Sequence, residues 1–133
     1  MRVVLDTNVL VSGVLSPHGP PGRLVDLALA GDLVLVVDDR VLSEYTEVLR
    51  RPRFGLPARD VDALVRHLRA AGEAVTARQL AVTLPDADDL PFLEVAAAGA
   101  ATLVTGNARH FRPARGRHEV RVLSPRQALG SVL

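Results

Sequence analysis

The stretch Val3-Val4-Leu5-Asp6-Thr7-Asn8-Val9-Leu10 decides how the rest of the chain is read. Arg2 to Leu5 is a short β-branched run without polar alternation, which marks a strand buried on both faces. The run breaks at Asp6, so an acidic side chain stands at the strand's carboxyl end. Leu33 to Val37 (LVLVV) repeats the pattern, and Thr102 to Val104 and Val120 to Leu123 read as two further strands. Helical patterns fill the intervals. Pro20-Pro21 opens one that stops at Gly31, with proline early and glycine just past the end. Asp38 or Asp39 caps the next, RVLSEYTEVLRR, which ends before Pro52. Arg59 to Ala71, stopped by Gly72, and Leu90 to Ala98, closed by Gly99, are two more, and Ser124-Pro125-Arg126-Gln127 is a capping box for a last short helix.

Strands alternating with helices imply right-handed crossovers and a sheet covered on both faces. The expected fold class is α/β: a three-layer α/β/α sandwich around a central, mostly parallel sheet of about four to five strands. With 133 residues the chain fits one domain over 1–133, with no internal repeat or linker. In such folds ligands bind beyond the carboxyl ends of the strands, where strand order reverses, which is where Asp6 stands.

Composition narrows the chemistry. The chain is 48% hydrophobic and 23% charged, which suits a packed core, and only 3% aromatic, so that core must be aliphatic. There is no cysteine, which removes disulfides, thiolate zinc sites and thiol nucleophiles. Asp6 and Asn8 interrupt the first apolar run, so it does not read as a signal peptide, and no apolar stretch reaches the roughly 18 residues of a membrane span. A soluble, cytoplasmic protein is the expectation. Net charge is +1, but Arg109 to Arg126 holds six arginines against Glu119 alone, so the remainder is acidic. That asymmetry suits cations held in one place and a polyanion beside it. All sixteen basic residues are arginine, so a solvated loop in an arginine-favouring sequence is an equal reading.

The acids form a constellation. Asp6 either caps the helix starting near Val9 or points into the crevice. On the wheel of the second-strand helix, Val41, Leu42, Tyr45, Val48 and Leu49 form an apolar face; Glu44 falls on its margin, where it needs an arginine or a metal, and Glu47 falls opposite, in solvent. Pro85-Asp86-Ala87-Asp88-Asp89 packs three acids ahead of a helix, more than capping requires. A divalent cation is the usual stabiliser of such a cluster, and an oxygen-only donor set favours magnesium or manganese over zinc. Thr105 and Asn107, after the strand ending at Val104, either orient a water or phosphate or close a turn.

Taken together, LDTNVLVSGV, LSEYTEVL and PDADDLPFLEVAAAGAATLVTGNARHF resemble the PIN-domain family, and within it the toxins of toxin–antitoxin pairs (VapC-like ribonucleases), nearly end to end. The resemblance implies an endoribonuclease whose acidic site gathers one or two Mg2+ or Mn2+ ions and hydrolyses single-stranded RNA, a small antitoxin partner, and a homodimer. It places the family's acids at Asp6, Glu44 and Asp89, with Asp86 and Asp88 as supporting ligands and Thr7 and Asn8 as motif neighbours. The fourth corner, often aspartate, is Asn107 here, which costs the site a charge. Thr105, Arg109, His110 and Arg112 are candidate substrate contacts, and Arg115 and Arg117 extend the basic stretch. Two other enzyme classes place an aspartate after the first strand. Haloacid-dehalogenase-like phosphatases use DxDxT, where this chain has Asn8, and receiver domains need a late lysine, which it lacks. The remaining alternative is a PIN-like module that binds RNA or protein without cutting.

Overall fold

The computed structural model describes residues 1–114 and 117–133. Strand β1 (Arg2–Leu5) leads into helix α1 (Thr7–Leu15) and helix α2 (Pro20–Ala30), then β2 (Val34–Val37) and α3 (Asp39–Leu49). A single 3-10 turn at Pro52–Phe54 precedes α4 (Ala58–Ala71) and β3 (Glu73–Ala74). After an irregular stretch, a 3-10 turn at Ala87–Asp89 runs into α5 (Leu90–Ala98), followed by β4 (Thr102–Val104), a 3-10 segment at Ala108–Ala114, β5 (Val122–Leu123) and α6 (Pro125–Val132).

The five strands form one parallel sheet in the order β3-β2-β1-β4-β5. Val3 pairs with Leu35 on one side and Thr102 on the other, so β1 is the central strand. Its Val3, Val4 and Leu5 are fully buried, as the unbroken apolar run requires. The chain moves outward from β1 through β2 to β3, then returns across β1 to β4. Strand order therefore reverses between β1 and β4, and a crevice opens at their carboxyl ends. The expected α/β sandwich is the fold observed.

Boundaries differ in instructive places. The first helix begins at Thr7 rather than near Val9, and the last strand keeps only Val122–Leu123 of the expected four residues. Leu33 is buried but lies outside β2. Strand β3 has no apolar signal; it is an exposed Glu-Ala pair held by backbone pairing to Val36 and Val37. Gly72 makes that pairing possible, because a Cβ there would sit 2.4 Å from the Leu35 carbonyl oxygen.

Valine and leucine dominate the core, as expected, and three of the four aromatic residues, Tyr45, Phe92 and Phe111, are fully buried within it. Tyr45 and Phe92 meet at 6.2 Å between ring centres. Asp38 caps α3 through Val41 N (3.0 Å), and the capping box at Ser124 and Gln127 is closed in both directions. On α4, Val61 and Leu68 face the core, whereas Leu64 and Val65 are half-buried. Among the described residues no helix is long and apolar enough to cross a membrane.

Candidate active site

The floor of the crevice is built by the ends of its two central strands. Asp6 N donates to the Val104 carbonyl (2.9 Å), locking the residue after β1 against the end of β4. The Asp6 carboxylate is 6% exposed, and its Oδ2 accepts from Thr105 Oγ1 at 2.7 Å. Thr105 Oγ1 in turn accepts from Asn107 N at 3.0 Å, so one buried hydroxyl both closes the turn and orients the acid. Asp6 occupies the N-cap position of α1 without a side-chain capping bond. Its carboxylate is committed to Thr105 instead. Behind it, the buried Tyr45 hydroxyl donates to the Leu5 carbonyl.

Glu44 forms one wall. It is half-buried on α3, as the wheel indicates, and Glu47 is exposed. Its Oε2 accepts from the Thr7 hydroxyl, and among the described residues no arginine pairs with it, so the ion-pair reading of Glu44 is not met. The acidic turn forms the opposite side. Asp86 caps it by accepting from Asp88 N (2.9 Å), while Asp89 starts α5 with no capping bond. Capping thus uses one acid of three. Asp6, Thr7, Asn8, Glu44, Asp86, Asp88 and Asp89 all line one cleft of about 230 Å3.

Gathering these carboxylates has an electrostatic cost. Asp6 is raised from the ordinary aspartate range, chiefly by burial, against the opposing hydrogen bond from Thr105. Glu44 is raised by burial first, then by Asp6 and Asp88, with the Thr7 hydroxyl opposing. Asp89 is raised to about 6 by burial and by Asp6 and Asp86, with His110 opposing. Its Oδ2 is buried without a hydrogen bond; His110 Nδ1 stands 3.3 Å away, within ion-pair range only.

These shifts fix a sign. A carboxylate whose folded-state pKa lies above its unfolded value contributes stability that is present at low pH and lost as pH rises through the folded value. The melting temperature of the ion-free protein should therefore rise as pH falls from 7.5 towards 5, and Asp89→Asn should flatten that rise. Calorimetric scans at several pH values check this; a melting temperature that falls over the window would contradict it. Glu73, lowered by its hydrogen bond from Arg2, acts oppositely but only below the usual glutamate range.

A divalent cation fits the donor set: carboxylate oxygens alone, three of them raised chiefly by burial and next by neighbouring acids, one of them buried and unpartnered. Among the described residues no three His, Asp or Glu side chains, as placed, are close enough to hold an ion. Two of the acids are instead held by Thr105 and Thr7.

Other expected residues lie farther out. Asn107 is exposed and outside the cleft lining; it contributes its backbone, accepting from His110 N at 3.0 Å. Arg109 and Arg112 line a separate groove of about 510 Å3 with Phe111, Val120, Arg121, Val122 and Gln127. Arg117 is exposed, and Arg115 lies outside the described residues. Sequence reading missed Arg51, Arg53 and Phe54, which line the acidic cleft itself where the expected helix gives out before Pro52. It also missed Glu94, 3% exposed on α5, bonded to Arg40 Nη1 and Leu80 N at 2.7 Å each.

A family model described as PIN domain matches residues 2–109, which carries every acid of the cleft. An uncharacterized protein of Methanocaldococcus jannaschii is 26% identical over 110 residues, covering 80% of this chain and 71% of the relative. Among solved structures, VapBC2 from Rickettsia felis, bound to a DNA fragment from their promoter, superposes with a TM-score of 0.63 at 17% identity, over 93% of this chain and 98% of that one. That likeness speaks for the fold. The parallel sheet, the acids at its switch point and a family match spanning both lead to one conclusion: the chain belongs to the PIN-domain family, whose members are generally nucleases.

Proposed function

We propose that this chain is a single-domain, divalent-metal-dependent endoribonuclease that hydrolyses phosphodiester bonds of single-stranded RNA in the cytoplasm, as the toxin of a toxin–antitoxin pair. One observation carries the reading. Carboxylates from three distant segments, Asp6, Glu44 and the turn Asp86 to Asp89, converge on one cleft, and Asp6, Glu44 and Asp89 do so at the expense of raised proton affinities. A fold that needed these acids only for capping would not desolvate Asp6, Glu44 and Asp89 in one cleft.

Asp6, Glu44 and Asp89 would hold the ion, with Asp86 and Asp88 at hand. A bound Mg2+ or Mn2+, one ion or two, supplies charge neutralisation at the scissile phosphate and lowers the pKa of the attacking water. The chain supplies the rest. Thr105 fixes the Asp6 rotamer, and Thr7 fixes Glu44. Asn8 lines the cleft beside them, and His110, half-exposed next to Asp89, stands where it can meet substrate. Asn107 offers the rim a neutral amide. Arg109 and Arg112, in their own groove, favour a polyanion running past the acidic centre. A flexible single strand can bend into a cleft of this size where a duplex cannot.

The partners follow by analogy. The solved relative is a VapBC2 complex, which supports a small antitoxin covering the cleft; the homodimer rests on the family resemblance, since Leu64 and Val65 on α4 are half-buried against the core. The test is cleavage of a labelled single-stranded RNA by the purified protein with manganese, beside a chelator control. Metal-dependent cutting is the expected result; binding without cutting would instead support the non-cleaving module that the neutral Asn107 favours.

A further inference from the structure

The chain holds four aromatic residues, and three of them are sealed in the core. The fourth, Phe54, is half-buried and lines the acidic cleft. Its position is set by a short rigid device. Arg51 precedes Pro52 and is extended (φ −60°, ψ 131°), as a residue before proline must be, and Gly55 closes the turn at φ +65°, where side chains are disfavoured. The device presents Arg51, Arg53 and Phe54 to one space. The Arg53 guanidinium stacks over the Phe54 ring with its carbon 4.8 Å from the ring centre. Both arginines are exposed, and among the described residues neither is within ion-pair distance of any acid, although acids line the same cleft.

Two arginines placed at an acidic cleft yet unpaired with its acids are available for an anion from outside. A guanidinium stacked on an aromatic ring offers planar surface as well as charge. We propose that Arg51, Arg53 and Phe54 clamp the incoming RNA strand: one nucleobase stacks on the Arg53–Phe54 pair, and the two arginines bind the flanking phosphates. This rests on the ribonuclease reading above and names how its substrate is seated. It also gives the site a preference for strands whose base can be splayed out beside the scissile bond.

The test uses the full chain carrying Asp6→Asn, so that RNA is bound and not consumed. Binding of a short fluorescent oligouridylate, and of the same backbone with abasic riboses, is followed by anisotropy at several salt concentrations. Phe54→Leu, which keeps apolar bulk, should weaken oligouridylate binding about five-fold or more and leave the abasic strand unaffected, with Phe54→Trp restoring it. Arg51→Gln and Arg53→Gln should weaken both probes and each reduce the salt slope by about 0.7. An unchanged slope, or equal effects of Phe54→Leu on both probes, overturns the clamp. So do arginine variants that alter only the manganese requirement for cleavage by the otherwise unsubstituted chain, because they would then serve the carboxylates. If the unsubstituted chain cleaves RNA while these variants bind like their parent, the clamp alone falls; if the chain neither binds nor cleaves, the ribonuclease reading falls with it.

Discussion

Asp6→Asn should reduce RNA cleavage about a thousandfold, equivalent to about 4 kcal/mol of transition-state stabilisation, while leaving the melting temperature unchanged or higher. The two halves of this expectation have one cause. Asp6 is buried at the meeting of β1 and β4, and burial raises its proton affinity, so its charge works against the fold. Asparagine removes the charge and keeps an oxygen that can still accept from Thr105 Oγ1. Packing and the floor hydrogen bond survive. The anionic oxygens needed to hold a cation do not. Stability is read by thermal unfolding and activity by cleavage of the labelled strand with manganese. A variant that cuts as fast as the parent would remove Asp6 from the chemistry; one that melts markedly lower would show that its charge serves the structure.

The same contrast explains which features were legible in the sequence. β1, β2 and β4 were readable because strands buried on both faces must be continuously apolar. β3 was not, because Glu73 and Ala74 join the sheet through backbone pairing and an exposed Glu73–Arg2 bond, and bury nothing. Asp6, Glu44 and the acids at Asp86 to Asp89 stood out because each breaks a local rule: a charge ending a core strand, a charge on the margin of an apolar face, more acids than a helix start can use. Arg51, Arg53 and Phe54 break none. A Pro-Arg-Phe-Gly loop looks alike wherever the turn between α3 and α4 carries it, and only that turn brings it to the cleft. Glu94 was hidden differently, since its partner Arg40 is 54 positions away in the chain. Asn107 stood out by its place after β4, where a turn-closing role was one of two readings, and its observed contacts are backbone ones.

Breaking the Arg40–Glu94 pair is the perturbation expected to act most strongly on the fold. Glu94 is almost wholly buried, and its two oxygens are divided between Arg40 on α3 and the Leu80 amide, in the irregular stretch before the acidic turn. Arg40→Met keeps the apolar stem and strands the carboxylate. Severing a buried pair costs about 3–5 kcal/mol, and because Arg40 is 47% exposed in its side chain a discounted loss of about 2 kcal/mol is expected. For a chain of this length that lowers the melting temperature by about 5–8 °C. Glu94→Gln should lose less, since an amide oxygen can still serve Leu80 N. The double variant Arg40→Met, Glu94→Leu should recover part of the stability, because apolar replacement of both partners removes the stranded charge. The pair also joins the helix bearing Glu44 to the helix that Asp89 begins, so loosening it shifts two walls of the cleft against each other. Cleavage by Arg40→Met, measured well below its melting temperature, should therefore fall several-fold although neither residue lines the cleft. Full activity with lowered stability would confine the pair to holding the fold and leave the spacing of Glu44 and Asp89 to β1 and the acidic turn.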